Sequence, residues 1–192
     1  MRMTLLERLR AETLVQHEEM EAVFALPKDR EQHREWCAIF LGFLAPLEER
    51  LIATLGVTHP FLVGRTQKTT WLREDLRALG LSQSEIEALP RCADVPAVGT
   101  PEKALGALYV FEGSALGGQI ISRHLESVVG RKDGVGYRYF RSYGPEVGRR
   151  WKEFGALLLQ HSNPRADAEI VAAANDTFAR LHAWCAHAHA RS

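Results

Sequence analysis

The sequence predicts an all-α protein with a single domain, and two observations support this prediction. Apolar side chains recur at three- and four-residue spacing through most of the 192 residues, which is the period of an amphipathic helix. No alternating run is long enough to indicate a sheet, and no internal repeat or low-complexity linker divides the chain. We therefore expect one helical domain over residues 1–192, long enough to bury a substantial core.

The first helix is predicted over residues 3–26, where the apolar positions follow helical spacing. These positions are Leu5, Leu6, Leu9, Met20, Val23 and Phe24. Pro27 and Asp29 interrupt the pattern before it restarts. A second helix is expected over residues 30–55, with a kink at Pro46, because a proline inside a helix removes a hydrogen bond and crowds the preceding turn.

Two shorter helices are predicted next. The segment RTQKTTWLREDLRALG, residues 65–80, reads as a helix that ends at Gly80. The motif SQSE, residues 82–85, fits a capping box, in which a serine and a glutamate satisfy each other's backbone N–H groups at a helix start. The segment CADVPAVG, residues 92–99, is expected to be a loop.

The second half of the chain begins with a strong helix-start signal. Thr-Pro-Glu at residues 100–102 supplies a capping hydroxyl, a proline at the first helical position and an acid, and the helix should run to about Val129. Residues 130–144 form the one long irregular stretch. Pro145 is then expected to open a helix that ends near His161, and Asn163-Pro164 to open the last helix.

Composition excludes several classes of protein. Lys plus Arg and Asp plus Glu both number 24, so the formal net charge is zero, which argues against sequence-independent nucleic-acid binding. We find no apolar run of transmembrane length and no signal-peptide core, which argues against a membrane protein. The three cysteines, Cys37, Cys92 and Cys185, are widely spaced and read as free thiols, which favours the cytoplasm.

Three glycines, Gly113, Gly117 and Gly118, lie within the predicted helix that begins near residue 100. Each costs roughly 1 kcal/mol relative to alanine in a helix interior, so their presence needs a reason. The motif GSALGG does not follow a strand or open a helix, so it is not a phosphate-binding loop. Two explanations remain: close packing of another helix, or a flat ligand that lies against the backbone.

His17 gives a second indication of a ligand. At 100° per residue, it shares one helix face with Leu6, Arg10, Thr13, Met20, Glu21 and Phe24. An imidazole in this setting is a candidate metal ligand, and Glu21 could accept its other ring N–H and orient it. A simple His–Glu pair on the surface of the helix remains the alternative.

Taken together, the two segments resemble the heme oxygenase family, and specifically the bacterial branch associated with bacteriophytochromes. LRAETLVQHEEMEAVF is similar to the first helix of that family, which carries the proximal histidine, and FEGSALGGQII is similar to its distal helix. RYFRSYGPEVGRRWKEF resembles the stretch that follows. The resemblance implies an all-α bundle with heme between the first helix and the glycine-bearing distal helix.

The resemblance also implies roles for individual residues. His17 would be the proximal ligand of the heme iron and Glu21 its hydrogen-bond partner. The distal, catalytic wall would be formed by Gly113, Ser114, Gly117 and Gly118. Contacts to the propionates or the ring edge would come from Arg10, Tyr109, Lys152 and Phe178, with Arg149 and Arg150 as competitors of Lys152.

Ser114 is a departure from the animal-type members of this family, which carry an aspartate at the matching position. A hydroxyl can hold a water molecule, but it has no charge with which to organise proton delivery. The sequence does not rank the other candidates for this role, which are Glu112, Arg123, Arg141 and Tyr143.

The resemblance implies an enzyme that binds heme b as both cofactor and substrate and converts it to biliverdin, Fe2+ and CO. Electrons would come from a ferredoxin or an NAD(P)H-dependent reductase, and a bacteriophytochrome is a possible acceptor of biliverdin. Three alternatives remain open: a heme carrier or sensor, a thiaminase-like helical enzyme, and a structural interaction module. His182, Cys185 and His189 share a helix face near the C-terminus, but histidines are also favoured there by the helix dipole.

Overall fold

The computed structural model describes residues 3–23 and 26–189, with the side chain of His189 excepted, and every regular element in these ranges is helical. The helices are α1 (Leu5–Glu12), α2 (Leu14–Val23), α3 (Arg30–Leu55), α4 (Lys68–Ala78), α5 (Gln83–Glu87), α6 (Pro101–Val129), α7 (Arg138–Arg141), α8 (Val147–His161) and α9 (Pro164–His189). A 3₁₀ turn at Gly144–Glu146 precedes α8. The all-α prediction is confirmed. Phe24, which was predicted on the His17 face, lies outside the described residues.

The predicted first helix is divided at Thr13, so the prediction of one continuous helix over residues 3–26 was wrong. Thr13 has φ −112° and ψ 5°, and its hydroxyl donates a hydrogen bond of 2.7 Å to the Leu9 carbonyl. A threonine hydroxyl that bonds the carbonyl four residues back commonly bends a helix. A face counted at 100° per residue therefore cannot be extended from α2 back to Arg10.

The two helix N-caps that the sequence predicts are present in the structure. Ser82 and Glu85 form the capping box of α5, and Thr100 caps α6, where its side chain accepts the N–H of Lys103. Helix α3 has the predicted bounds and includes Pro46. The kink at Pro46 stays a prediction.

Helix α4 begins at Lys68, three residues after the predicted start, because its cap comes from another helix. Gln67 makes no side-chain capping bond. Instead, the carboxylate of Glu48 on α3 accepts the N–H of Lys68 at 3.1 Å and that of Thr69 at 3.3 Å. Burial raises the pKa of Glu48. This long-range cap fixes where Lys68 stands.

A short helix, α7, lies within the stretch that was predicted to be irregular. The buried carboxylate of Asp75 on α4 accepts the N–H groups of Arg138 at 2.6 Å and Tyr139 at 2.8 Å. The ring of His33 on α3 lies 2.7 Å from the Gly136 carbonyl oxygen, just before α7. Two buried polar side chains thus hold this segment against α3 and α4.

Helix α6 is the central helix of the bundle and packs most closely on α9. A Cβ atom on Gly106 would lie 2.5 Å from the Ile170 carbonyl oxygen, so the two backbones approach each other directly there. By length and composition α6 could cross a membrane, which the sequence analysis had not recognised, but 61% of its most apolar window is buried inside the protein. Its apolar residues form the core of the fold.

Candidate active site

The main cavity lies between α2, α6, α7 and α9 and has a volume of about 340 Å³, within the range of small-molecule sites. It is lined by His17, Met20, Glu21, Leu26, Trp36, Phe40, Lys68, Val110, Phe111, Gly113, Ser114, Ala115, Gly117, Gly118, Ile121, Tyr139, Phe140, Ser142, Phe178 and Leu181. Most of these side chains are apolar. The cavity therefore suits a flat, largely apolar ligand that also needs one or two polar contacts.

His17 lies on the α2 side of the cavity, and its side chain is 52% exposed. Its Nδ1 atom lies 3.6 Å from Oε1 of Glu21, one turn later. The Phe178 ring on α9 contacts the imidazole edge to face, with the ring centroids 6.1 Å apart. Because Nδ1 is directed toward a carboxylate, Nε2 is the nitrogen left for a ligand.

The α6 side of the cavity is where the predicted glycines lie, and they differ in what surrounds them. At Gly117, a Cβ atom would meet no atom of residues 3–23 or 26–189 within 4 Å. At Gly113, it would make an ordinary contact of 3.8 Å with the Trp151 ring. The backbone at Gly117 is thus bare toward open space, as a ligand lying against it would require.

Gly118 also lines the cavity, and its role in the distal wall stays a prediction, but its surroundings differ from those of Gly117. A Cβ atom on Gly118 would lie 2.6 Å from the carbonyl oxygen of Phe140 in α7. The backbone of α7 occupies the space that a side chain would need. At this position close packing, the alternative considered from the sequence, explains the glycine.

Ser114 lines the cavity, but its hydroxyl is already engaged. It donates to the Phe111 carbonyl of its own helix at 3.1 Å. Tyr139 is a neighbour of this hydroxyl, and burial raises the pKa of Tyr139. Because its proton is donated to the helix backbone, the Ser114 hydroxyl can bind a water molecule only as an acceptor.

The predicted propionate contacts do not line the cavity. Arg10 and Lys152 are exposed on α1 and α8. Tyr109 is buried beside Thr13, within range of the Arg10 charge, and burial raises its pKa. Arg149 pairs with Glu146 and Glu153, and Arg150 donates to the Val63 and Gly64 carbonyls. Their roles stay predictions.

A buried charged cluster beside the cavity includes two residues that the sequence analysis did not select. Lys68 Nζ lies 2.5 Å from Glu112 Oε1, and Tyr143 donates its hydroxyl to the same oxygen at 2.9 Å. Arg65 Nε lies 3.5 Å from Glu112 Oε2. Lys68 and Asp75 lie on the buried face of α4, whose other members are apolar. Charged residues at helical spacing with apolar ones were therefore a sign in the sequence that Lys68 is buried. Glu112 and Tyr143 had been candidates for proton delivery.

A second cavity adjoins this cluster and is lined by arginines. Its walls are Gly64, Gln67, Trp71, Arg138, Arg141, Ser142, Tyr143, Gly144, Pro145, Glu146, Arg149 and Arg150. Ser142 lines both cavities. Its φ of +51° is unusual for a residue other than glycine, and its buried hydroxyl has no hydrogen-bond partner among the described residues. Arg123, another candidate for proton delivery, is exposed and lines neither cavity.

The C-terminal histidines and the cysteines form no further site in the described part of the chain. No group of three or more His, Cys, Asp or Glu side chains there could hold a metal ion. The side chain of His189 lies outside the described residues. Cys37, Cys92 and Cys185 are free, as predicted, and all three are buried. Burial raises the pKa of Cys185 to about 12.

Comparison with known proteins identifies the family. A sequence model of the heme oxygenase family matches residues 3–187, which is nearly the whole chain. The chain belongs to the heme oxygenase family. A heme oxygenase of Xanthomonas campestris pv. campestris (strain 8004) is 34% identical over 167 residues, which cover 84% of this chain and 88% of that protein. The family therefore supplies the expected activity of this enzyme, which is the conversion of heme to biliverdin.

The fold agrees with this family. The NO- and CO-bound heme oxygenase from Neisseria meningitidis superposes with a TM-score of 0.78 at 22% identity, and the match covers 98% of this chain and 94% of that one. The cavity also has features that a heme requires: an exposed imidazole on one side, bare backbone at Gly117 on the other, and apolar walls between them. The residues present fit the group.

Proposed function

We propose that this heme oxygenase binds heme in the main cavity and opens it to biliverdin, with release of Fe2+ and CO. One observation carries the proposal beyond family membership: the imidazole of His17 and the bare backbone of Gly117 line the same apolar cavity. Heme supplies the iron at which O2 is activated and the ring that is oxidised. The remaining work belongs to the protein.

His17 is the residue we assign to hold the iron, through Nε2. Axial histidine is a common ligand of heme iron. Glu21 Oε1 lies 3.6 Å from Nδ1, so a small rotation of either side chain would let it accept from Nδ1 and fix the tautomer and the ring orientation, which is the usual role of a carboxylate behind a metal-bound imidazole. Phe178 packs against the imidazole edge and limits its rotation.

The α6 side restricts access to the opposite face of the heme. Backbone without side chains at Gly113 and Gly117 lets the helix lie close to the ring, so little room is left above it. Ser114 carries no charge and is bonded to its own helix, so it contributes shape rather than a proton source. Arg10, Tyr109 and Lys152 do not line the cavity, and they remain candidates for propionate contacts that would set the rotation of the ring.

The reaction needs electrons and a destination for its product. We assign electron supply to a ferredoxin or an NAD(P)H-dependent reductase, and a bacteriophytochrome as the acceptor of biliverdin. Three free, buried thiols suit a reducing compartment, so we place the enzyme in the cytoplasm.

The experiment is aerobic reduction of the purified hemin complex, with ascorbate or a ferredoxin system as electron donor. We expect the heme absorption to bleach into a biliverdin spectrum, with CO released in equal amount. A heme carrier or sensor would instead give a stable band under the same conditions. A thiaminase-like enzyme or a structural module would bind no stoichiometric hemin, and either result would contradict the proposal.

A further inference from the structure

The starting point is a charged cluster that fold stability does not explain. The Glu112 cluster is defined as Arg65, Lys68, Glu112 and Tyr143, and its three charged residues are at most 4% exposed. Removing an ion from water costs several kcal/mol, and a buried ion pair is seldom more stabilising than apolar residues of similar volume. A desolvated cluster of this kind beside a cleft is a candidate functional element.

The hydrogen bonds of the cluster form a continuous chain. Tyr143 donates its hydroxyl to Glu112 Oε1 at 2.9 Å, and Lys68 Nζ lies 2.5 Å from the same oxygen. Lys68 Nζ also donates to the Tyr143 hydroxyl oxygen at 3.3 Å. A proton can therefore pass between the phenol and the amine directly or through the carboxylate.

The two ends of this chain open into different cavities. Lys68 lines the main cavity, and its Nζ contacts Glu112 on α6, the helix that carries Gly113 and Ser114. Tyr143 lines the second, arginine-lined cavity, and the Arg150 guanidinium lies over its ring at 5.0 Å. The cluster thus forms the wall between a ligand cavity and a polar cleft. Ser142, whose buried hydroxyl has no hydrogen-bond partner in the described part of the chain, is in the same wall.

From this geometry we propose that Tyr143, Glu112 and Lys68 carry protons from the arginine-lined cleft to the distal side of the heme cavity. The proposal rests on the proposed function. It assigns to the cluster the task that Ser114, an uncharged residue bonded to its own helix, does not perform. Lys68 is the group that faces the heme, whereas Tyr143 and Glu112 act through it.

The relay returns each group to its starting state. Lys68 releases a proton from Nζ into the main cavity and becomes a neutral amine. It regains a proton from the Tyr143 hydroxyl, directly or through Glu112 Oε1, and Tyr143 takes one from water in the cleft. One proton has then crossed the wall, and no electron has moved.

The charges around the cluster suit this role. Burial alone would lower the pKa of Lys68, but the adjacent Glu112 charge and the Tyr143 contact outweigh it, so the pKa is raised and Lys68 rests protonated. Burial is the main cause of the raised pKa of Tyr143, which keeps the phenol neutral. Within the cluster, Arg65 is the second cation beside Glu112, and the charges that face the cluster from outside are Arg150 and the Glu48 carboxylate behind the Lys68 backbone.

The test uses the ferric hemin complex and two variants, Lys68→Met and Tyr143→Phe. The first readout is the pH at which the complex changes from its acid to its alkaline visible spectrum. Because a nearby cation favours loss of a proton, Lys68→Met should raise this pH by about half a unit or more. The second readout is the bleaching rate with excess reductant, which should fall about 100-fold or more in both variants, since loss of a positioned proton donor typically costs at least that much.

The matched control is Tyr137→Phe, which removes a buried phenol oxygen from the same segment. The Tyr137 hydroxyl bonds the Gly134 N–H and the Arg131 carbonyl and lines neither cavity. It should leave the transition pH and the bleaching rate unchanged. If Lys68→Met fails to fold, Tyr143→Phe remains decisive, because it removes a single oxygen atom.

Unchanged bleaching in Tyr143→Phe, or an unchanged transition pH in folded Lys68→Met, would overturn the relay while leaving the oxygenase intact. If the wild-type complex does not bleach, the proposed function itself has failed. The two failures are therefore distinguishable in one set of samples.

Discussion

The carbonyl oxygen of Phe140 lies 2.6 Å from the position that a Cβ atom on Gly118 would occupy. This contact brings the backbone of α7 against α6, and it does so beside the cavity that holds His17. The next glycine toward the N-terminus, Gly117, faces open space instead. Two adjacent glycines in one helix thus have different surroundings, and an alanine substitution at each tests them separately.

Gly118→Ala should destabilise the protein. The added methyl would overlap a backbone carbonyl that α7 cannot withdraw without losing its bonds to Asp75. Overpacking of this kind costs typically about 1–3 kcal/mol, which should exceed the helix-propensity gain of roughly 1 kcal/mol. The free energy of unfolding, measured with denaturant, checks this. A variant as stable as the wild type would contradict the packing account.

Gly117→Ala is the matched substitution and should have the opposite effect on the apoprotein. No atom within 4 Å opposes the methyl, so helix propensity should add roughly 0.5–1 kcal/mol of stability. The same methyl should weaken hemin binding, because it projects into the cavity. Calorimetry of the apoprotein and a hemin titration measure the two effects. If hemin affinity is unchanged, the ligand does not lie against this backbone.

Asp75 should make stability depend on pH. Burial is the main cause that raises its pKa from 3.8 to about 7 in the folded protein. Between these values the folded state binds more protons than the unfolded chain, so stability should fall as pH rises from about 4 to about 7 and then level off. The contribution is on the order of 4 kcal/mol over that window, from about 1.4 kcal/mol per pKa unit.

The comparison that isolates this effect is Asp75→Asn, since asparagine resembles the protonated acid. Its amide nitrogen cannot accept the second of the two N–H groups that Asp75 binds, so the variant should be less stable near pH 4, but its free energy of unfolding should not fall between pH 4 and pH 7 as that of the wild type does. The exposed carboxylate of Glu19 provides a charge-matched control, Glu19→Gln, which should keep the wild-type pH profile. Parallel profiles for Asp75→Asn and the wild type would show that Asp75 titrates normally.

Glu21→Gln should weaken hemin binding moderately. Loss of the carboxylate behind a metal-bound histidine typically costs 10- to 100-fold in metal affinity. Here the Glu21 side chain is 71% exposed, and its oxygen lies 3.6 Å from His17 Nδ1, so we expect a loss below about tenfold. Glu18→Gln removes an exposed carboxylate from the same helix and should have no effect. Equal affinities in both variants would argue against Glu21 as the partner of His17.

The sequence predicts a helix boundary correctly where the residues that define the boundary are neighbours in the chain. Ser82 and Thr100 cap their helices with their own side chains, and α6 and α9 begin as the sequence predicted. The start of α4 and the presence of α7 depend instead on Glu48 and Asp75, whose carboxylates reach across from other helices. No local pattern contains that information.

The same division applies to the site. His17, Gly117 and Phe178 were selected from the sequence, and they line one cavity. Lys68 was not selected, because its importance depends on a pairing with Glu112, 44 residues away. The separate roles of Gly117 and Gly118 likewise depend on where α7 lies.

The most direct test of the account is a visible-spectrum titration of the apoprotein with hemin, run on the wild type, His17→Ala and His187→Ala. His187 is exposed on α9 and does not line the cavity, so it controls for the loss of any histidine. We predict a saturable one-to-one Soret band for the wild type and for His187→Ala, and a shifted, weakened band for His17→Ala. A His17→Ala band identical to that of the wild type would contradict the assignment of His17 as the iron ligand.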